Sequence, residues 1–204
     1  MAIRPVPPLN RSEFAEPAWE IARLFPAQGL WSEVDYLGLK TNRLVEFSQG
    51  RVEVLAMPTD DHQTMVAYLF TILSAVAQAL GGKALFAPLR LRLKSGKFRE
   101  PDLVMLFKAD DERRHNEYWD GADLVMEVVS PDDPDRDWIV KRQEYAQAGI
   151  SEYWIIDPRN ETVTVLQLQQ GAYVEHGHFE RGAQAASSVL PALQLDVNAV
   201  FDAP

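Results

Sequence analysis

Two short runs constrain the fold of this chain more than any other feature. Leu103-Val-Met-Leu-Phe107 is apolar at every position, and Leu124-Val-Met-Glu-Val-Val129 is apolar at all but one. A strand with one wet face alternates apolar and polar residues, so strands without alternation must be covered on both faces. These two runs therefore predict a central sheet with a layer of structure on each side. That is a three-layer α/β sandwich with a mixed sheet.

The covering layers are legible in the surrounding residues. Asp60 to Leu80 reads as a long helix. Val66, Leu69, Leu73, Val76 and Leu80 recur at steps of three and four, Thr59 or Asp60 can cap it, and Gly81–Gly82 ends it. A second helix starts near Pro134 and stops at Gly149. It lies between Leu124–Val129 and the apolar segment Tyr153–Ile156, as a crossover between core strands would. Hairpins are expected for 44–47 with 51–55 around Gln49–Gly50, and for 162–168 with 172–175 around Gly171, after a turn at Pro158 and Asn160. Leu89 to Lys94 alternates leucine with base and turns at Ser95–Gly96. Short helices fit Ser12–Leu24, where Pro17 is awkward, and Ser32–Tyr36. The proline-rich residues 1–10 are expected to be loose. Residues 1–30 thus read as an extension, and 31–204 as one domain.

Composition narrows the classes. No cysteine is present, which excludes disulfides and thiolate metal sites. No apolar stretch has the length of a membrane span, and the first ten residues lack the apolar core of a signal peptide. The expected location is the cytoplasm. The formal net charge of −10 argues against a general nucleic-acid coat, but leaves room for one local cationic surface.

Asp102 follows Pro101 at the start of one buried run, and Glu127 lies inside the other. Burying a bare carboxylate is very costly, and a divalent cation shared by two acids on adjacent strands removes that cost. The alternative is a pair of strand-end acids with basic neighbours. On the following helix Asp137, Lys141 and Tyr145 are spaced by four and share a face. Spacing alone would equally suit a surface Asp–Lys pair. Arg90, Arg92, Lys94, Lys97 and Arg99 form a basic hairpin leading to Asp102. It could hold phosphates, or simply keep a strand soluble. His62 falls on the stripe of Val66 and Leu69, where a half-buried structural histidine is also a reading. Trp119, Trp138 and Trp154 read as packing residues, and His115, His176 and His178 show no ligand spacing.

The strings LVEFSQGRVEVLAMPTDDHQ, EPDLVML, LVMEVVSP and DWIVKRQEYAQAGISEYWIIDP, in this order, resemble the Uma-two family of restriction-endonuclease-like proteins within the PD-(D/E)XK nuclease superfamily. The resemblance runs over roughly residues 31–202. It implies that Asp102 is the acid of the Pro-Asp element and Glu127 the acid of the second element. Residues 128 and 129 are both valine, so the expected lysine is missing from the strand, and the resemblance makes Lys141 on the next helix its replacement. Glu46 and His62 match an upstream glutamate and the histidine that opens the long helix. Gln49 stands where the family commonly has an acid. The implied activity is metal-dependent phosphodiester hydrolysis of DNA, an endonuclease. Mg²⁺ or Mn²⁺ would be held by Asp102, Glu127 and the Val128 carbonyl, and Lys141 would orient the attacking water or help deprotonate it. The implied partner is DNA; a homodimer stays open, and no membrane is involved. Two other readings remain at this level: a catalytically silent nucleic-acid-binding or interaction module on the same fold, and a hydrolase of small phosphate esters.

Overall fold

The computed structural model describes residues 25–41 and 43–203. The expected helix over residues 12–24, and with it most of the N-terminal extension, lies outside the described residues. Helix α1 (Glu33–Gly38) opens on a reciprocal cap. The Asp35 N–H donates to the Ser32 hydroxyl, and the Asp35 carboxylate accepts from the Ser32 N–H. Strands β1 (Val45–Ser48) and β2 (Arg51–Val54) follow as a hairpin. Its two turn residues, Gln49 and Gly50, have φ of 49° and 78°, the left-handed pair that a tight hairpin needs.

Helix α2 (Asp60–Ala79) is capped by Thr59, whose hydroxyl accepts from the His62 N–H. Its buried side is Met65, Val66, Leu69, Leu73 and Ala77. The apolar stripe leaves the core earlier than its spacing predicts, and Leu80 is 52% exposed. Just beyond the helix the chain passes close to the sheet backbone: a Cβ on Gly82 would sit 2.6 Å from the Leu106 carbonyl oxygen. Strand β3 (Lys83–Phe86) comes next, an edge strand that the periodicity of Lys-Ala-Leu-Phe did not announce.

Strands β4 (Leu91–Lys94) and β5 (Lys97–Arg99) form the basic hairpin and join β1 and β2 in a small sheet of order β2-β1-β5-β4. Strands β6 (Leu103–Leu106) and β7 (Leu124–Val128) are buried at every residue, as their lack of alternation requires. The chain then enters a π-helical turn, Arg136–Lys141, that runs into α3 (Arg142–Gln147). It continues through β8 (Glu152–Asp157), β9 (Thr162–Gln169), β10 (Ala172–Phe179), β11 (Gln184–Ala186), β12 (Gln194–Asp196) and helix α4 (Val197–Phe201). The central sheet has the order β10-β9-β8-β7-β6-β3. Only β7 and β8 pair in parallel, so the sheet is mixed and the π/α segment is their crossover. No described helix is long and apolar enough to cross a membrane.

Alternate residues of the sheet feed two cores. Leu103, Met105, Leu124, Met126, Trp154 and Ile156 pack with α2 and the C-terminal segment. Val104, Val125, Tyr153 and Ile155 pack on the other face with Tyr145, Ala146 and Leu91. Trp119 and Trp154 are packing residues, as expected. The fold is thus the three-layer α/β arrangement predicted from the two apolar runs.

One buried acid is a structural pin. Glu152 Oε1 accepts from Trp154 Nε1 and the Ser187 hydroxyl, each at 2.6 Å. Its Oε2 accepts from the Ser188 N–H at 2.6 Å and the Ser188 hydroxyl at 2.5 Å. It therefore ties β8 to the loop after β11. Glu152→Ala would remove the acceptor from these four donors and from the Val189 N–H at 3.2 Å. We expect a loss of about 2–3 kcal/mol, because hydrogen bonds to a charged group carry that weight. Urea unfolding at neutral pH checks it; an unchanged midpoint would contradict the pin.

Candidate active site

The site is assembled where β6 begins and β7 ends. In the antiparallel register Leu103 opposes Met126, and one further step places Asp102 opposite Glu127, side chains on the same face. Asp102 Oδ2 accepts from the Val128 N–H at 2.8 Å, and the Asp102 N–H donates to Glu127 Oε2 at 3.3 Å. His62, at the start of α2, brings Nε2 to 3.3 Å from Asp102 Oδ2. Three elements distant in sequence therefore meet at one point.

Lys141 comes to the same point from the helix layer. Its Nζ lies 2.9 Å from Glu127 Oε1 and 2.9 Å from Asp137 Oδ1. This is no surface ion pair, since Lys141 is only 5% exposed and Asp137 3%. Tyr145, four residues on and on the same face, donates its hydroxyl to Glu127 Oε1 at 2.5 Å. The segment carrying these groups is not the plain α-helix expected from Pro134. A π turn is wider than an α turn and such turns recur at functional sites. This one is held from several strands. Trp138 Nε1 donates to Asp157 Oδ2 at 3.2 Å, the Tyr153 hydroxyl donates to the Asp137 carbonyl at 3.1 Å, and Arg136 pairs with Glu46 and Glu53.

Glu46 is fully buried, one step removed from the acids. Its carboxylate is neutralised by Arg136 and by Arg99, whose Nη1 is 3.2 Å away. Among the described residues no hydrogen bond or ion pair joins it to Asp102 or Glu127.

The basic hairpin is more occupied than its sequence suggests. Arg90 donates to the Leu37 and Leu39 carbonyls at 3.0 and 2.9 Å and lies over the Tyr36 ring. Arg92 makes a two-bond pair with Asp120 at 2.9 and 2.6 Å. Lys97 and Arg99 both bind Glu144, at 2.5 and 2.7 Å. Only Lys94 has no polar partner among the described residues. A phosphate reaching the other four would compete with these protein acceptors for the same cations. Sequence reasoning missed Glu144 and Arg136 as partners, because neither stands out by spacing or neighbours; only the packing of the helix on the small sheet brings them in.

Charge and burial act together here. Burial pushes the Glu127 carboxyl well above the usual carboxylate range against the pull of Lys141, and Asp102 and Asp137 push it further. Burial alone would lower the Lys141 ammonium, but Glu127 and then Asp137 outweigh it and hold it up, so Lys141 stays protonated. For His62, burial works against the proton, but the hydrogen bond and charge of Asp102 prevail and raise it.

A divalent cation fits this donor set. Glu127 Oε2 takes no side-chain donor, the Asp102 carboxylate is beside it, and all are oxygens, as Mg²⁺ and Mn²⁺ prefer. Among the described residues no three His, Cys, Asp or Glu side chains form a ready ligand cluster. Magnesium does not require one, since it keeps several waters and is bound by one or two carboxylates plus substrate oxygens. Asp102 and His62 keep 16% and 17% of their side chains exposed, whereas Glu127 and Lys141 are buried, so access is from the Asp102–His62 side. Two hollows lie elsewhere, one against Trp119 and His115 and one against Trp138 and His178; neither includes Asp102 or Glu127.

Comparison with known proteins identifies the family and the fold. The family model described as Uma2, putative restriction endonuclease, matches residues 31–198. No curated protein matches the chain. A solved structure from Anabaena variabilis, titled a putative nuclease belonging to DUF820, has the same fold. It superposes with a TM-score of 0.69 at 20% identity, over 84% of this chain and 98% of that one. With most of its length matched by one family model, this chain belongs to the Uma2 family of putative restriction endonucleases.

Proposed function

We propose that this protein is a metal-dependent nuclease that hydrolyses phosphodiester bonds of DNA, with Asp102, Glu127 and the Val128 carbonyl as cation ligands and Lys141 as the charged group beside them. The observation that carries this reading is the position of Lys141. The family resemblance lacks its lysine on the strand, and a lysine from the crossover helix stands 2.9 Å from the glutamate that should neighbour it. A bound Mg²⁺ or Mn²⁺ would polarise the scissile phosphate and acidify a coordinated water.

The protein's own groups then have distinct tasks. The Lys141 ammonium, clamped by two carboxylates, is protonated and therefore a poor base; it orients the water and offsets charge in the transition state. In this reading His62, on the open side at Asp102, contacts the substrate; its 3.3 Å approach to Asp102 and partial exposure support that role. Glu46, held by two arginines, fixes the small sheet and the π turn relative to each other. Its support for catalysis is indirect. Cytoplasmic DNA is the substrate this reading favours, in keeping with a chain without cysteine.

A non-cutting module on the same fold has one specific observation in its favour, the occupied bases of the 90–99 hairpin in a chain of net charge −10. One experiment separates the two. Supercoiled plasmid incubated with the protein and Mg²⁺ or Mn²⁺ should be nicked or linearised, and a chelator should stop it. Intact plasmid together with salt-sensitive DNA binding would favour the silent module instead.

A further inference from the structure

We infer that Tyr145 is a positioning residue for cation binding, holding the Glu127 carboxylate so that one oxygen is committed to the protein and the other is presented to the metal. The inference rests on the metal-dependent reading above. Glu127 has two oxygens in different surroundings. Oε1 receives the Tyr145 hydroxyl at 2.5 Å and the Lys141 ammonium at 2.9 Å. Oε2 receives no side-chain donor; its one partner is the Asp102 N–H, which donates to it across a long 3.3 Å and leaves its second lone pair open. The asymmetry is created in the helix layer, because both donors come from the segment that follows β7.

Lys141 alone would not fix this orientation. An ammonium is a compact charge with three rotatable donors, and this one is shared with Asp137. A phenol is directional. The Tyr145 ring is fully buried and meets the Tyr153 ring edge-on, with centroids 5.1 Å apart, so its hydroxyl has little freedom to follow a rotating carboxylate. Tyr153 is in turn anchored through its own hydroxyl to the Asp137 carbonyl. Two tyrosines therefore brace the glutamate and the π turn as one unit. Groups that orient ligands in this way commonly change metal affinity 10- to 100-fold when removed.

The test is Tyr145→Phe, which keeps the ring and deletes the donor. Mn²⁺ binding is measured by electron paramagnetic resonance or calorimetry on the folded protein without DNA, so no cleavage is needed to read it. We expect Mn²⁺ affinity to fall about tenfold or more. Cleavage should be recovered toward the parent level by raising Mn²⁺, whereas Lys141→Gln should stay impaired at saturating metal. A purely structural role would lower the unfolding temperature and leave Mn²⁺ affinity alone. Parent-like Mn²⁺ affinity in Tyr145→Phe overturns the inference while leaving the nuclease reading standing. Absence of Mn²⁺ binding in the parent overturns the metal-dependent reading and this inference with it. If the phenylalanine variant does not fold, Tyr145→Met fills the same buried site with an adaptable apolar side chain and carries the same comparison.

Discussion

Lys141→Ala is expected to lower DNA cleavage about 100- to 1,000-fold, because in the proposed mechanism it removes a preorganised positive charge from the place where negative charge develops. The structure adds a second consequence that the sequence did not carry. Lys141 is enclosed between Glu127 and Asp137, both nearly inaccessible to water. Removing one member of such a buried set leaves charge without compensation, at a cost of about 3–5 kcal/mol. Activity and stability should therefore both fall. Lys141→Met separates them in part, since it restores the packing of the stem but not the charge. Lys141→Arg should rescue little, because a planar fork cannot replace a compact ammonium between two carboxylates. Cleavage assays paired with urea unfolding check this, and an alanine variant that cuts like the parent would remove Lys141 from the mechanism.

Asp102→Asn should differ in stability alone: a large loss of activity with little loss of stability. The asparagine oxygen can still accept from the Val128 N–H, so the link between β6 and β7 survives. Stability should stay within about 1 kcal/mol of the parent. On the proposed mechanism, what disappears is one of the two carboxylate ligands of the cation. Lewis-acid stabilisation by a metal is worth several kcal/mol, so cleavage should fall by about 1,000-fold. Mn²⁺ calorimetry should show the same loss. Undiminished Mn²⁺ binding would place the cation elsewhere.

The sequence was most informative where one residue contradicted its surroundings. Glu127 within LVMEVV and Asp102 after Pro101 were visible because acids are out of place in runs that must be buried. The absence of alternation in those same runs also revealed the layered architecture. Helix α2 was readable from its period and cap, and the two hairpins from Gln49–Gly50 and Gly171. Strand β3 was not, because four residues at a sheet edge carry too little pattern. The π turn was equally hidden. It depends on side chains held by β1, β2, β7 and β8, and none of those contacts is local. Spacing put Asp137, Lys141 and Tyr145 on one face, but it could not say that Tyr145 would serve Glu127 rather than Lys141. The bases of residues 90–99 show the converse failure. Their alternation suggested an open cationic strip, and their actual partners, Asp120, Glu144 and the α1 carbonyls, come from segments far along the chain.

The central claim is that Asp102 and Glu127 with Lys141 form a working metal-dependent nuclease site. The most direct measurement is cleavage of supercoiled plasmid by the parent and by Asp102→Asn, purified side by side, across Mg²⁺ and Mn²⁺ concentrations and with a chelator. The parent should convert the plasmid only when metal is present, and the variant should leave it intact at every concentration tested. A variant that cleaves as well as the parent, or cleavage that persists in chelator, would contradict the account.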